Sequence, residues 1–267
     1  MPIIIDSHAH VVKEYFAEDQ HEVIARAFDS GVVQMVNPGV VMDDVDELLD
    51  LAKQYDQLYI ALGLHPHEAK HWNDEMDSKL RTLARTEKVV AIGECGLDFF
   101  YENSDREAQK AALTAQIRIA LALDKPIIIH CRDAWDEALS LLEQEGGGKL
   151  RGVFHCFTGG PDILPRIAEL GFYISFSGIV TFPSAKLIQA AARIAPSDRI
   201  LVETDCPFLA PQKMRGKRNE PSYVWHVAEK LAELRAVTVE EICQACCANT
   251  RLLFGLPVVD AKTLPAG

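Results

Sequence analysis

Eight short apolar runs punctuate the chain: "PIIIDSHAH" (2–10), "VVQMVNPG" (32–39), "LYIALGLHPH" (58–67), "VVAIGECGLD" (89–98), "PIIIHC" (126–131), "GVFHCF" (152–157), "FYISFSG" (172–178) and "ILVETDCP" (200–207). Each holds about five β-branched or other apolar residues before polar ones appear. Near-continuous apolarity of this kind suits a parallel strand buried on both faces. Between the runs, helical patterns are predicted at 22–31, 105–124, 137–148, 220–236 and 238–255. Glycines close the first and third of these. Thr238 followed by Glu241 opens the last as a capping box. Strand and helix alternating eight times predicts an α/β fold, a single-domain TIM (β/α)8 barrel over residues 1–255. A doubly wound open sheet is the alternative, but it gives no reason for the placement of the polar residues. The Pro/Gly/Ala-rich segment 256–267 is expected to be a loosely ordered tail.

Strand side chains repeat with period 2, so Ile4, Asp6, His8 and His10 are predicted to share one face, with the histidines nearest the strand's C-terminal end. The equivalent position of other strands holds His65, Glu94, His130, His155 and Asp205. In a barrel these ends meet at one mouth, where active sites are built. A lone strand-end histidine is ordinarily a hydrogen-bonded structural residue, and a lone carboxylate there a loop cap. Their joint phase is a different matter. Two carboxylates buried together without a cation would repel each other in a low-dielectric pocket. Six nitrogen and oxygen donors also exceed what one catalytic zinc with an open position takes. Two divalent ions bridged by a carboxylate fit better, and Zn, Mg and Mn are all compatible with these donors.

Composition narrows the field. The hydrophobic share of 48% and charged share of 25% describe a globular protein with a real core. A net charge of −12 argues against a long basic nucleic-acid groove, leaving room only for local cations at a site. No basic region precedes a long apolar stretch and no apolar run reaches membrane-spanning length, so a cytoplasmic protein without membrane association is expected. Seven cysteines lack disulfide spacing. Cys95, Cys131, Cys156 and Cys206 each follow a proposed ligand, and strand alternation predicts that they face outward as small hydrophobes. "CQACC" (243–247) lies in a helical stretch and reads as helix packing.

The motifs "DSHAH", "GLHPH", "AIGECGLDFF", "IIIHCRDA", "VFHCFTGG", "ISFSGIVTF", "VETDCPFLAP", "RGKRNEP" and "NTRLLFG" follow one another from residue 6 to residue 255. Together they resemble the TatD family of metal-dependent deoxyribonucleases, within the amidohydrolase superfamily. The resemblance implies a TIM barrel with two divalent ions at its C-terminal mouth. It places His8, His10 and Asp205 on one ion and His130 and His155 on the other, with Glu94 between them. Those are the six residues that strand phase selects. Cys206 departs from a position often Ser in such proteins. No Lys stands at the end of the fourth strand to serve as a carboxylated bridge, and Glu94 fills that role.

The expected reaction is attack of a metal-bound hydroxide on the phosphorus of a phosphodiester. Asp205 is expected to position the nucleophile and shuttle its proton, with Glu203 and Asp6 behind the ligands as orienters. Substrate contacts are expected from "KMRGKRN" (213–219), which follows the last strand, where barrels commonly bind phosphate. Arg215, Arg218 and Asn219 are the candidates, with His65 reaching the same phosphate and Arg132 a weaker one. A small basic patch on an acidic surface favours a strand end over a long duplex, hence exonuclease-like trimming of DNA sooner than RNA. No obligate protein partner is implied. Two alternatives stay open: a dinuclear-metal hydrolase of another ester or amide, and a non-catalytic metal-bearing binding protein.

Overall fold

The computed structural model describes residues 2–41 and 44–259. Eight strands form one sheet in chain order: β1 (Ile4–Asp6), β2 (Val32–Pro38), β3 (Leu58–Leu62), β4 (Val89–Asp98), β5 (Ile127–Arg132), β6 (Gly152–Phe154), β7 (Tyr173–Phe176) and β8 (Ile200–Val202). Each pairs in parallel with the next. The last strand meets the first through backbone bonds from Ser7 N to Val202 O (3.1 Å), Asp205 N to His8 O (2.9 Å) and His10 N to Cys206 O (2.9 Å). The result is a nearly closed (β/α)8 barrel, as the eight apolar runs predict.

The outer layer holds α1 (Lys13–Phe16), α2 (Gln20–Asp29), α3 (Val45–Gln54), α4 (Asp74–Leu83), α5 (Arg106–Leu123), α6 (Trp135–Gly146), α7 (Leu164–Glu169), α8 (Lys186–Ile194), α9 (Val224–Arg235) and α10 (Val239–Phe254). The main core lies between this layer and the outer face of the strands. A second cluster, with Val36, Ala61, Ala91, Ile128, Val153, Tyr173 and Leu201, fills the barrel and is closed by Leu253, Phe254 and Leu256. Leu256 is thus a buried plug residue, while residues 260–267 of the expected tail lie outside the described residues. The capping box at α10 is present, with both Thr238 and Glu241 bonded across it.

Two details differ from simple strand alternation. The hydroxyls of Ser7 and Ser175 meet at 3.0 Å. Ser175 alternates with Ile174 and Phe176, which pack in the outer core, so Ser7 faces the interior and Asp6 does not. β1 ends at Asp6, and the chain then turns to bring His8 inward. Cys156 also departs from its predicted outward position. Its backbone takes a positive φ of 42°, and its half-exposed thiol lies 3.2 Å from the Ser177 hydroxyl instead of in the outer core. Cys95, Cys131 and Cys206 do pack in that core. So do Cys243 and Cys246 of α10.

Candidate metal centre

The barrel brings side chains from six strand ends to one mouth. Glu94 reaches it because β4 shifts register between Ile92 and Cys95. That shift needs close strand approach. At Gly96, with φ of 152°, a Cβ would stand 1.9 Å from the His130 carbonyl oxygen, so any side chain would force β4 and β5 apart. Asp205 follows β8 with φ of 55°, a strained conformation for a non-glycine residue of the kind found at functional sites. Asp6 accepts hydrogen bonds from Thr204 N (3.0 Å), the Thr204 hydroxyl (2.5 Å) and His8 N (3.2 Å), tying the ends of β1 and β8 together beneath the histidines.

Glu94 divides the cluster in two. Its Oε2 faces His8 Nε2 at 3.2 Å and His10 Nε2 at 3.5 Å. Asp205 Oδ1 lies 3.7 and 3.4 Å from the same two nitrogens, which are themselves 3.0 Å apart. Its Oε1 faces His155 Nε2 at 2.8 Å, His130 Nδ1 at 3.0 Å and His65 Nε2 at 3.3 Å. Four ligands set tetrahedrally at about 2.1 Å from a cation stand about 3.4 Å from one another. The donor atoms are therefore spaced as metal ligands are, and no Lys or Arg is ion-paired to either carboxylate among the described residues.

The outer partners fix which ring nitrogen is free. Nδ1 of His10 faces the Pro38 carbonyl at 3.2 Å and must donate to it, so when the ring is neutral Nε2 is the nitrogen left bare toward Glu94. Nε2 of His130 donates to Asp98 Oδ2 at 3.3 Å, so when the ring is neutral Nδ1 is the nitrogen left bare toward Glu94. Nδ1 of His155 stands 3.4 Å from Glu203 Oε1, and its Nε2 points inward. Each bare nitrogen can coordinate a cation, and each outer acceptor raises its basicity. His65 is reversed. Its Nδ1 accepts from His67 N at 3.2 Å, so in the neutral ring Nε2 carries the proton and faces the mouth as a donor.

Electrostatics follow the same division. Burial pushes Glu94 upward, but the charge of His155 and hydrogen bonds from His130 and His155 hold it well below the usual carboxylate range. Burial likewise opposes protonation of His155, yet Glu94 and Glu203 raise it well above an ordinary imidazole. Burial lowers His8 and His65 to about 4, so both remain neutral near pH 7.

Two residues that strand phase did not select complete the arrangement. Asp98 Oδ2 accepts from His67 Nε2 at 2.8 Å as well as from His130, and its Oδ1 accepts from Phe100 N and Tyr101 N, both at 2.9 Å. Asp98 stands four residues after Glu94 in the same apolar run, and His67 two after His65. Their spacing was a usable signal.

In the loop after β8, two of the expected phosphate contacts are engaged within the protein. Arg218 is committed to a bidentate pair with Asp19 at 2.7 and 2.6 Å and lies over the Phe16 ring, tying this loop to α2. Asn219 is fully buried, and its amide donates to the carbonyls of Thr204 (2.8 Å) and Phe208 (2.6 Å). Arg215 is exposed and makes no ion pair among the described residues. Arg132 stacks on Phe100 and Tyr101 at 4.0 and 4.8 Å from their centroids.

An eight-stranded barrel with imidazoles and carboxylates gathered at its C-terminal mouth has the make-up of a metal-dependent hydrolase. The family model described as "TatD related DNase" matches residues 5–255, and the chain belongs to the TatD family. An uncharacterized metal-dependent hydrolase of Bacillus subtilis, YabD, is 41% identical over 94% of this chain and 99% of its own length. A protein of Enterobacter lignolyticus named 3'-5' ssDNA/RNA exonuclease TatD is 35% identical over 95% of this chain and 99% of its own. The crystal structure of the TatD homolog YJJV from Escherichia coli superposes with a TM-score of 0.90 at 32% identity, covering 95% of this chain and 98% of that one. No helix among the described residues is long and apolar enough to cross a membrane.

Proposed function

We propose that this chain is a phosphodiester hydrolase that trims nucleic-acid ends, DNA foremost. It would hold two divalent ions, one by His8, His10 and Asp205 and the other by His130 and His155, with one oxygen of Glu94 for each. The observation that carries this reading is the division of the Glu94 carboxylate, whose Oε2 stands nearest His8 and His10 and whose Oε1 stands nearest His65, His130 and His155. Two such ions, when bound, supply a nucleophile at neutral pH and countercharge for the phosphoryl oxygens.

The chain's own groups do the rest. Asp205 has the most accessible side chain of the two site carboxylates, at 11% against 3% for Glu94, and can accept the proton of an attacking water. His65, neutral and with its Nε2 proton aimed into the mouth, can donate to a phosphate oxygen. Asp98 is hydrogen-bonded to the ring of His130, and the carboxylate of Glu203 stands 3.4 Å behind that of His155. Arg215 adds exposed positive charge beside the mouth. A relative named 3'-5' ssDNA/RNA exonuclease supports nucleic-acid ends as the substrate class.

A second reading, hydrolysis of another ester or an amide on the same scaffold, is favoured by one observation. Arg218 and Asn219 are spent on structural bonds, which thins the phosphate-binding loop. The test is a metal-supplemented assay on end-labelled single- and double-stranded DNA and RNA, with His130→Ala as control. Metal-dependent shortening from an end, lost in the variant, is expected. Intact oligonucleotides under every metal would overturn the nuclease reading.

A further inference from the structure

Among the described residues, the exposed Phe and Tyr rings all stand around the barrel mouth. Of its exposed large hydrophobic side chains, the aliphatic ones (Leu187, Ile194, Val237, Leu252 and Val258) lie on the outer helices and connections. The three aromatic ones, Phe100, Tyr101 and Phe208, all lie at the mouth, at 56%, 55% and 47% exposure. Phe208 sits beside His10, with ring centroids 6.2 Å apart. Phe100 and Tyr101 stand on the opposite side, near His130.

That second pair is built and braced. The two rings meet edge to face at 4.9 Å and 88°. The Arg132 guanidinium lies over both and makes no ion pair among the described residues, so its charge is free for a polyanion. Tyr101 also packs edge-on against His67 at 5.5 Å, and His67 lies 6.3 Å from His130. One carboxylate joins the pair to the metal centre. Asp98 takes the backbone N–H groups of Phe100 and Tyr101 on Oδ1 and the His67 and His130 rings on Oδ2. Rings this exposed yet this tightly held keep an apolar face toward water without the freedom to turn away from it.

We propose that Phe100 and Tyr101, braced by Arg132, form a stacking subsite for an unpaired base of the strand whose phosphate lies at the metal centre. This rests on the nuclease reading above and adds to it a cause of selectivity. Every base offers a π-face, so such a subsite is indifferent to sequence. A base in duplex is already paired and stacked, and must leave the helix to reach the rings. The subsite therefore selects frayed or single-stranded ends. Arg132 contributes by keeping the rings in place and by lying close to the incoming backbone.

The test compares two end-labelled single-stranded oligonucleotides, identical except that one carries abasic sugars at its two terminal positions. For the wild type, kcat/KM on the base-bearing strand should exceed that on the abasic strand by about tenfold or more. The double variant Phe100→Ala/Tyr101→Ala should lose that advantage mainly through KM while cleaving the abasic strand as before. Phe100→Trp, which keeps a stacking face, should retain the preference. Equal wild-type rates on both strands, or equal losses on both in the double variant, would overturn the subsite and leave the nuclease reading standing. Absence of cleavage of either strand by the wild type would overturn both.

Discussion

Glu203 Oε1 lies 3.4 Å from His155 Nδ1, on the side of the ring away from Glu94. The same oxygen accepts from Cys156 N at 2.6 Å, and Glu203 is completely buried. The carboxylate thus has two separable roles, one toward a backbone N–H and one toward an imidazole. Glu203→Gln keeps an oxygen for Cys156 N but loses the negative charge behind His155. Metal affinity should fall about 10- to 100-fold, measured by competition with a chelator. Unchanged affinity would reduce Glu203 to a backbone cap.

Asp98 makes the corresponding contact behind His130. Asp98→Asn retains an oxygen for Phe100 N and Tyr101 N, and its amide can no longer accept as a carboxylate from both imidazoles. Metal-dependent activity should drop by about one to two orders of magnitude with little change in melting temperature. A large loss of stability at full metal affinity would contradict that role.

Strand phase located the six central residues although several lie beyond the strands proper. β1 stops at Asp6, β6 at Phe154 and β8 at Val202, whereas His8, His155 and Asp205 follow them. Past a strand end the pleat no longer dictates direction, which is why His8 turns inward although Asp6 faces out, and why Cys156 faces otherwise than alternation predicts. The intramolecular partners of the loop residues were not legible for another reason. The partners of Arg218 and Asn219 are Asp19 and Thr204, and only the closed barrel brings them near. A basic loop in sequence carries no sign of which charges are already spent. The short helices α3, α4, α7 and α8 were expected only from the alternation of the fold, since about two turns of amphipathic sequence make a weak pattern.

Protons and cations should compete at this centre. In His10, His130 and His155 burial opposes the proton, but the facing carboxylates outweigh it and all three are raised above an ordinary imidazole. A cation must displace those protons, so affinity should rise with pH and binding should release protons to the buffer. His8 and His65, lowered to about 4 by burial, contribute nothing to this near neutrality. A raised folded-state value also stabilises the metal-free chain fully below about pH 6.5, and that stability is lost as pH rises through the folded value. Melting temperature with a chelator should therefore fall as pH rises above about 6.5, while the metal-loaded protein should gain stability over the same interval. A metal-free melting temperature that rises over that range would contradict the assigned protonation.

Arg215 and Arg218 share one loop and should behave differently. Arg218→Ala removes the tie to Asp19 and the packing on Phe16, so its main effect should be on loop order, seen as faster local proteolysis or amide exchange. Arg215→Ala should leave stability within about 0.5 kcal/mol and weaken oligonucleotide binding, with a shallower dependence on salt. Equal effects on stability would remove the distinction.

Glu94 is the hinge of the account, and the metal content of Glu94→Ala tests it most directly. Wild-type protein equilibrated with zinc or manganese and freed of excess ion should hold two ions per chain by elemental analysis. Removing the residue that faces both imidazole sets should lower occupancy at both positions and abolish activity while the chain stays folded. A variant that still binds two ions, or a wild type that never binds more than one, would contradict the shared carboxylate and the dinuclear centre built on it.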